Sequence, residues 1–268
     1  MTHVRTAAVS GMFYDADPRA LRGSVASYVQ AAAGEHAPEP LSPKAIIAPH
    51  AGFVYSGPVA GHAYAALRPV RGRIERVVLL GPAHRVYTAG IAASTADAFA
   101  TPLGEVQVDQ AALRRVVSEL DFVEFSDAAH AKEHSLEVQL PFLQEVLGHV
   151  TILPFAVGDA SAGQVALLLE RLWGGEETLI VISSDLSHYR SYDDARRIDR
   201  ITSDQILRLA PGGLTGEHAC GYRPIGGLLR AAVSRGLVCR LLDLRSSGDT
   251  AGPRDRVVGY GAYAFYAA

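Results

Sequence analysis

The 268-residue chain is poor in the residues that staple or mark small proteins: two cysteines, two methionines and one tryptophan. Cys220 and Cys239 are too few and too isolated for a disulfide framework or a zinc knuckle, and Cys239, inside an apolar run, reads as a buried, inert thiol. No uncharged run reaches the roughly 18 to 20 apolar residues that a membrane-spanning helix needs. The opening stretch Met1–Pro18 lacks the apolar core of a secretion signal, so the cytoplasm is the expected compartment. There is no basic excess either. Lys and Arg total 25 against 28 Asp and Glu, a net charge of −3, and neither sign is gathered into blocks. Such a chain has no electrostatic footprint for nucleic acid. A Walker phosphate loop, a Gly-x-Gly-x-x-Gly turn and a Gly-x-Ser-x-Gly elbow are all missing, which removes the usual supports for nucleotide binding and for an α/β-hydrolase. Small-molecule or peptide partners remain.

Hydrophobic residues make up 49% of the sequence, enough for a sizeable core. No linker composition interrupts the chain, so residues 1–268 are read as one domain. Asp17-Pro18 starts an amphipathic helix running to about Ala33, with aspartate as the cap and proline at the first helical position. Glu35 to Pro43 reads as a proline-rich surface loop. Short apolar runs at Lys44–Ala48, Arg76–Leu80, Val150–Ala156 and Thr178–Ser183 read as buried strands. Short strands are expected over 90–108, with a turn at Pro102-Leu103-Gly104. Helices are expected at 57–67, 109–119, 136–147, 161–173, 192–209 and 222–235, and final strands at 238–244 and 256–266. This alternation predicts an α/β fold in three α/β/α layers, with a central mixed, mostly parallel sheet whose last strands run antiparallel.

Ligands of open α/β sheets bind beyond the carboxyl ends of the strands. Three apolar strands here end in titratable residues: His50 after the first, His84 after the second, Asp185 and His188 after the third. One such histidine is unremarkable in a loop; three on successive strand ends form a pattern. His130 and His134 have the i, i+4 spacing that would put both rings on one helix face, although His130 reads equally well as solvated. Two histidines with one carboxylate suit non-heme iron(II). Asp249, in Ser246-Ser-Gly-Asp249, is the candidate carboxylate, and by spacing alone it reads as an ordinary turn residue. Ser183, Ser184 and Ser187 beside Asp185 and His188 suggest a hydrolase triad, but triad members rarely crowd into six residues of one loop. Cys220 next to His218 is a weak nucleophile candidate, since adjacent side chains seldom share a hydrogen bond.

Motifs in order along the chain add to this reading. They are Gly11-Met-Phe-Tyr14 with Asp17-Pro18, Ala48-Pro-His-Ala-Gly52 with Val54-Tyr-Ser-Gly-Pro58, and Leu80-Gly-Pro-Ala-His84. Further on come Glu133-His-Ser-Leu-Glu-Val-Gln-Leu-Pro141, Ser183-Ser-Asp-Leu-Ser-His-Tyr189, Cys220-Gly-Tyr-Arg-Pro-Ile-Gly226 and Ser247-Gly-Asp249. Together they resemble the Memo family, in bacteria often labelled AmmeMemoRadiSam system protein B, nearly end to end. That family is similar in fold to class III extradiol ring-cleaving dioxygenases. The resemblance implies metal ligation by His50, His84 and Asp249, with Asp243 as the fallback for the third position, which in some animal members resembles a cysteine. It implies Fe(II) as the cofactor, with copper or zinc as alternatives. His188, Asp185 and His134 match the remaining pocket residues, His188 as acid/base and Asp185 orienting it. The implied activity is a dioxygenase-like oxidoreductase acting on a phenolic or peptide substrate, alongside a radical SAM protein and an AMMECR-type protein. The competing implication is a non-catalytic metal- or peptide-binding module that uses the old cleft.

Overall fold

The computed structural model describes residues 2–34 and 42–268. Most of the proline-rich loop expected at Glu35 to Pro43 therefore lies outside the described residues. The first long helix is Pro18–Ala33: the Asp17 side chain accepts from the Arg19 and Ala20 amides, and Leu21, Val25, Val29 and Ala32 recur at helical spacing on its buried face. It packs on helix Phe53–Ala65. The two approach closely at Gly61, where an added Cβ would lie 2.6 Å from the Tyr28 carbonyl oxygen.

The sheet is built around strand Arg76–Pro82, which runs parallel to Thr151–Val157 on one side and to Thr178–Ser183 on the other. Ala45–Ala48 continues the parallel set beside Thr178–Ser183, with Ala48 opposite Ser183. These four strands are almost wholly buried, as expected where helices cover both faces. Val257–Ala267 then joins antiparallel to Ala45–Ala48, with Leu237–Ser246 antiparallel outside it. Helix Phe53–Ala65 lies against the Ala45–Ala48 and Val257–Ala267 strands, and helix Tyr222–Ser234 against Arg76–Pro82 and Thr178–Ser183. The observed fold is thus the expected three-layer α/β/α arrangement with a mixed, mostly parallel sheet.

Some local expectations fail for identifiable reasons. Helix Phe53–Ala65 starts four residues before Gly57, directly after His50-Ala51-Gly52, and carries Pro58 inside it. The segment expected as one helix over 136–147 is a 3-10 turn, Glu137–Gln139, followed by the helix Leu140–Val146. The short helix Asp127–Ala131 ends before His134, so His130 and His134 do not share a helix face. Its stop is local: the Glu133 carboxylate accepts the backbone N–H groups of His134 and Ser135, which a continuing helix would have bonded to its own carbonyls. His130 turns away and bonds the Ala92 carbonyl at 3.0 Å. Two-residue and three-residue strands at Val4–Arg5, Val123–Phe125 and His188–Arg190 were not foreseen.

Glu137, fully buried, anchors the N-terminal segment to this framework. Its carboxylate pairs with the Arg5 guanidinium and accepts from the Ala8 and Val9 amides and the Tyr14 hydroxyl. The same segment lays Phe13 against the His134 ring, with centroids 4.9 Å apart.

Candidate metal centre

Because Ala48 and Ser183 are neighbours at the ends of parallel strands, Pro49-His50 and Ser184-Asp185 leave the sheet side by side. The Asp185 carboxylate accepts the His50 backbone N–H at 2.7 Å and fixes where that loop turns. His84 follows the end of the adjacent Arg76–Pro82 strand. The His50 and His84 rings stand edge to face with centroids 5.3 Å apart, and His134 stacks on His84 at 4.8 Å.

Hydrogen bonds orient the His50 and His84 rings. Gln139 Nε2 donates to the Pro49 carbonyl at 2.9 Å and to Ser183 Oγ at 2.8 Å, while its Oε1 accepts from Tyr64. The one Ser183 proton goes to the Ser135 carbonyl at 2.6 Å. Ser183 Oγ is left only as an acceptor for His50 Nδ1–H, 2.9 Å away, so Nε2 of His50 carries the lone pair, which accepts from the Cys220 thiol at 3.4 Å. His84 is set by Glu133, whose carboxylate accepts from the His84 backbone N–H at 2.6 Å and faces its Nδ1 at 2.9 Å. Burial alone would raise the Glu133 pKa, but the His84 ring and the Ser135 and His84 amides outweigh it and bring it to about 2. An ionised acceptor there fixes Nδ1 as a protonated nitrogen and leaves Nε2 as the one ring atom of His84 that can offer a lone pair. Burial, then the neighbouring His84 and His134, hold the His50 pKa well below the ordinary imidazole value, so the ring is neutral.

The third group at this point is Cys220. One ligand atom each from His50, His84 and Cys220 fall within 4.8 Å of one another, with Cys220 Sγ 3.4 Å from His50 Nε2. Gly221 permits this approach: a Cβ there would meet Ser184 Cβ at 2.6 Å. The bare backbone lets the turn dock on the strand end, its Gly221 amide donating to Ser184 Oγ at 2.9 Å. Burial pushes the Cys220 thiol up from its ordinary value, so an ion would have to displace the proton as it binds.

Asp249 does not reach this cluster, which corrects the expectation that it supplies the third ligand. Its carboxylate closes its own turn, accepting from the Ser246 amide and hydroxyl at 2.9 Å each and from the Tyr192 hydroxyl. The fallback Asp243 is held elsewhere too, by Arg245 and at 3.5 Å from His62 Nε2. Asp185 is buried, and burial raises its pKa against the opposing pull of His188 and the His50 amide. His188 directs Nδ1 to the Leu186 carbonyl at 2.8 Å, which leaves Nε2 without a hydrogen-bond partner among the described residues. His134 sits 5.4 Å from the His50 ring, with burial lowering its pKa. A second group of potential ligands, His84, Glu133 and His134, is better read as scaffolding, because both Glu133 oxygens are already occupied by N–H donors. A cavity of about 380 Å³ is lined by His84 and Cys220 of this group together with Val86, Tyr87, Val157, Asp159, Tyr222 and Arg223.

A family model described as Memo-like protein matches residues 5–264. The chain belongs to the Memo family. It is 34% identical to a MEMO1 family protein of Sulfolobus acidocaldarius over 96% of this chain and 97% of that protein. A MEMO1 family protein of Pyrobaculum aerophilum is 35% identical, over 98% and 99% of the two chains. The crystal structure of an uncharacterized protein from Escherichia coli K12 superposes with a TM-score of 0.50 at 14% identity, covering 81% of this chain and 98% of the other, a likeness of fold. Among the described residues of this Memo-family chain, no helix is long and apolar enough to cross a membrane.

The sequence reading missed Cys220 as a member of the cluster, along with Glu133, Gln139 and Ser183 as the groups that set the rings. All four stand inside the quoted Memo motifs. For Cys220 the available signal was the glycine after it, a residue that lets backbone pack against backbone.

Proposed function

We propose that this Memo-family protein binds one transition-metal ion through His50 Nε2, His84 Nε2 and Cys220 Sγ, and acts as an oxidoreductase on a phenolic substrate. The observation that carries the proposal is the convergence of three ligand atoms whose two imidazoles are each held, by Ser183 and Glu133, in the tautomer that offers a lone pair. Imidazole and thiolate donors fit iron(II), copper or zinc, and the thiolate shifts the preference towards softer ions than a two-histidine-one-carboxylate set would hold. When bound, such an ion would lower the pKa of a coordinated phenol and, if iron or copper, supply one-electron chemistry with oxygen. The protein's own residues contribute the rest. Val86, Tyr87, Val157 and Tyr222 give the cleft beside His84 and Cys220 an apolar and aromatic lining against which a ring can rest. His188, with Nδ1 committed to the Leu186 carbonyl, has Nε2 available to take or return a phenolic proton. Asp185 fixes the turn that carries His50 and lies within electrostatic reach of His188. The likeness to AmmeMemoRadiSam system protein B supports a role beside a radical SAM protein and an AMMECR-type protein in a modification pathway.

The test is metal analysis of anaerobically prepared protein and of four single variants. His50→Ala, His84→Ala and Cys220→Ala are expected to lose the ion, and Asp249→Ala to keep it. Retention of full metal by Cys220→Ala together with loss in Asp249→Ala would overturn the ligand set. Oxygen uptake with phenols then separates oxidoreductase from metal carrier.

A further inference from the structure

The cleft above the metal centre carries one fixed cation, and its chemistry narrows the substrate. Arg223 lines the same cavity as His84 and Cys220. Its guanidinium is positioned by backbone and ring: Nη1 donates to the Gly158 carbonyl at 2.9 Å, and Cζ lies 5.1 Å from the centre of the Tyr222 ring. Nη2 pairs with Asp159 at 2.7 Å, but the Asp159 side chain is 60% exposed and that of Arg223 only 30%. An ion pair whose acid is so exposed is screened and contributes little. A carboxylate entering the cavity, which Asp159 also lines, can therefore take the place of Asp159 on Nη2 with small loss, while Nη1 stays on the Gly158 carbonyl and holds the guanidinium in position. Val86, Tyr87 and Val157 give the cavity an apolar and aromatic lining beside the polar Thr88 and Asp159. A volume near 380 Å³ suits a single ring with a short side chain.

We infer that Arg223 is a specificity-determining residue and that the substrate is an aromatic acid, its ring over the metal ligands and its carboxylate on the guanidinium. This rests on the phenol-binding reading above and deepens it. The test uses zinc-loaded full-length protein, which is redox-silent, and two matched probes, 4-hydroxyphenylacetate and the neutral p-cresol, with affinities read by calorimetry. Wild type is expected to prefer the carboxylate probe by about tenfold or more, the value of one charge-assisted hydrogen bond. Arg223→Gln should bring the two probes level while zinc content, measured on the same sample, stays stoichiometric. Asp159→Asn, which removes the competing acid, should increase the preference. Equal affinities in wild type, or a preference that survives Arg223→Gln, would overturn the inference. Failure of both probes to bind the zinc-loaded wild type would instead reject the phenolic reading itself.

Discussion

Glu133→Gln is the most informative single change in the scaffold of the candidate metal centre. The carboxylate is 1% exposed and receives four donors: the His84 amide on Oε2, and the His84 ring and the His134 and Ser135 amides on Oε1. A glutamine keeps the acceptor only on one side. With its oxygen in the Oε1 position, its NH2 group would face the His84 amide across 2.6 Å, donor against donor. With the amide reversed, His84 Nδ1 would have to become an acceptor, and the proton would move to Nε2, the atom required for the metal. The pKa of Glu133 falls from 4.5 to about 2 in the folded chain. At about 1.4 kcal/mol per unit, that depression corresponds to about 3 kcal/mol of stability at neutral pH, present above the unfolded value and lost as pH falls through the folded one. Urea denaturation at pH 7 should show a loss of that order in the metal-free variant. Zinc affinity by competition titration should fall by roughly 10- to 100-fold, as is common when the partner of a ligating histidine is removed. A variant that loses the expected stability yet binds zinc as tightly as wild type would refute the claim that Glu133 orients His84.

Asp199, whose carboxylate accepts the Ser187 amide at 2.9 Å, has its pKa raised by burial from 3.8 to about 6. A raised carboxyl contributes most below its unfolded pKa and loses that contribution as pH rises through the folded value. Asp199→Asn should therefore gain on wild type by up to about 3 kcal/mol between pH 4 and pH 8; a stability difference that does not change with pH would contradict this. Gly61→Ala forces a Cβ to within 2.6 Å of the Tyr28 carbonyl and should cost about 1–3 kcal/mol by thermal denaturation. Gly23→Ala, on the exposed side of the same helix pair with nothing within 4 Å, should instead stabilise by about 1 kcal/mol.

What the sequence determined by itself was the layer architecture and the address of the site. Runs such as Thr178–Ser183 read as strands buried on both faces, and their abrupt ends in His50, His84 and Asp185-x-x-His188 mark one edge of a parallel sheet. The cap at Asp17 and the antiparallel close of the final strands were legible for the same reason: each is a local rule about backbone donors or alternation. Tertiary structure alone decided which acid or thiol would stand beside the histidines. Asp249 and Cys220 both lie in glycine-containing turns far along the chain, and nothing local separates them. The difference is that Asp249 satisfies its own turn through Ser246, whereas the Cys220 turn, with no side chain at Gly221, presses onto the Ser183–Ser184 strand end. Likewise the i, i+4 spacing of His130 and His134 promised a shared face, and a buried Glu133 that captured two backbone amides sent them to opposite sides. The Gly221–Ser184 and His130–Ala92 hydrogen bonds join residues far apart in the chain and have no signature in a single stretch of sequence, and the Glu133 stop, though local, depends on the tertiary burial that holds its carboxylate in place.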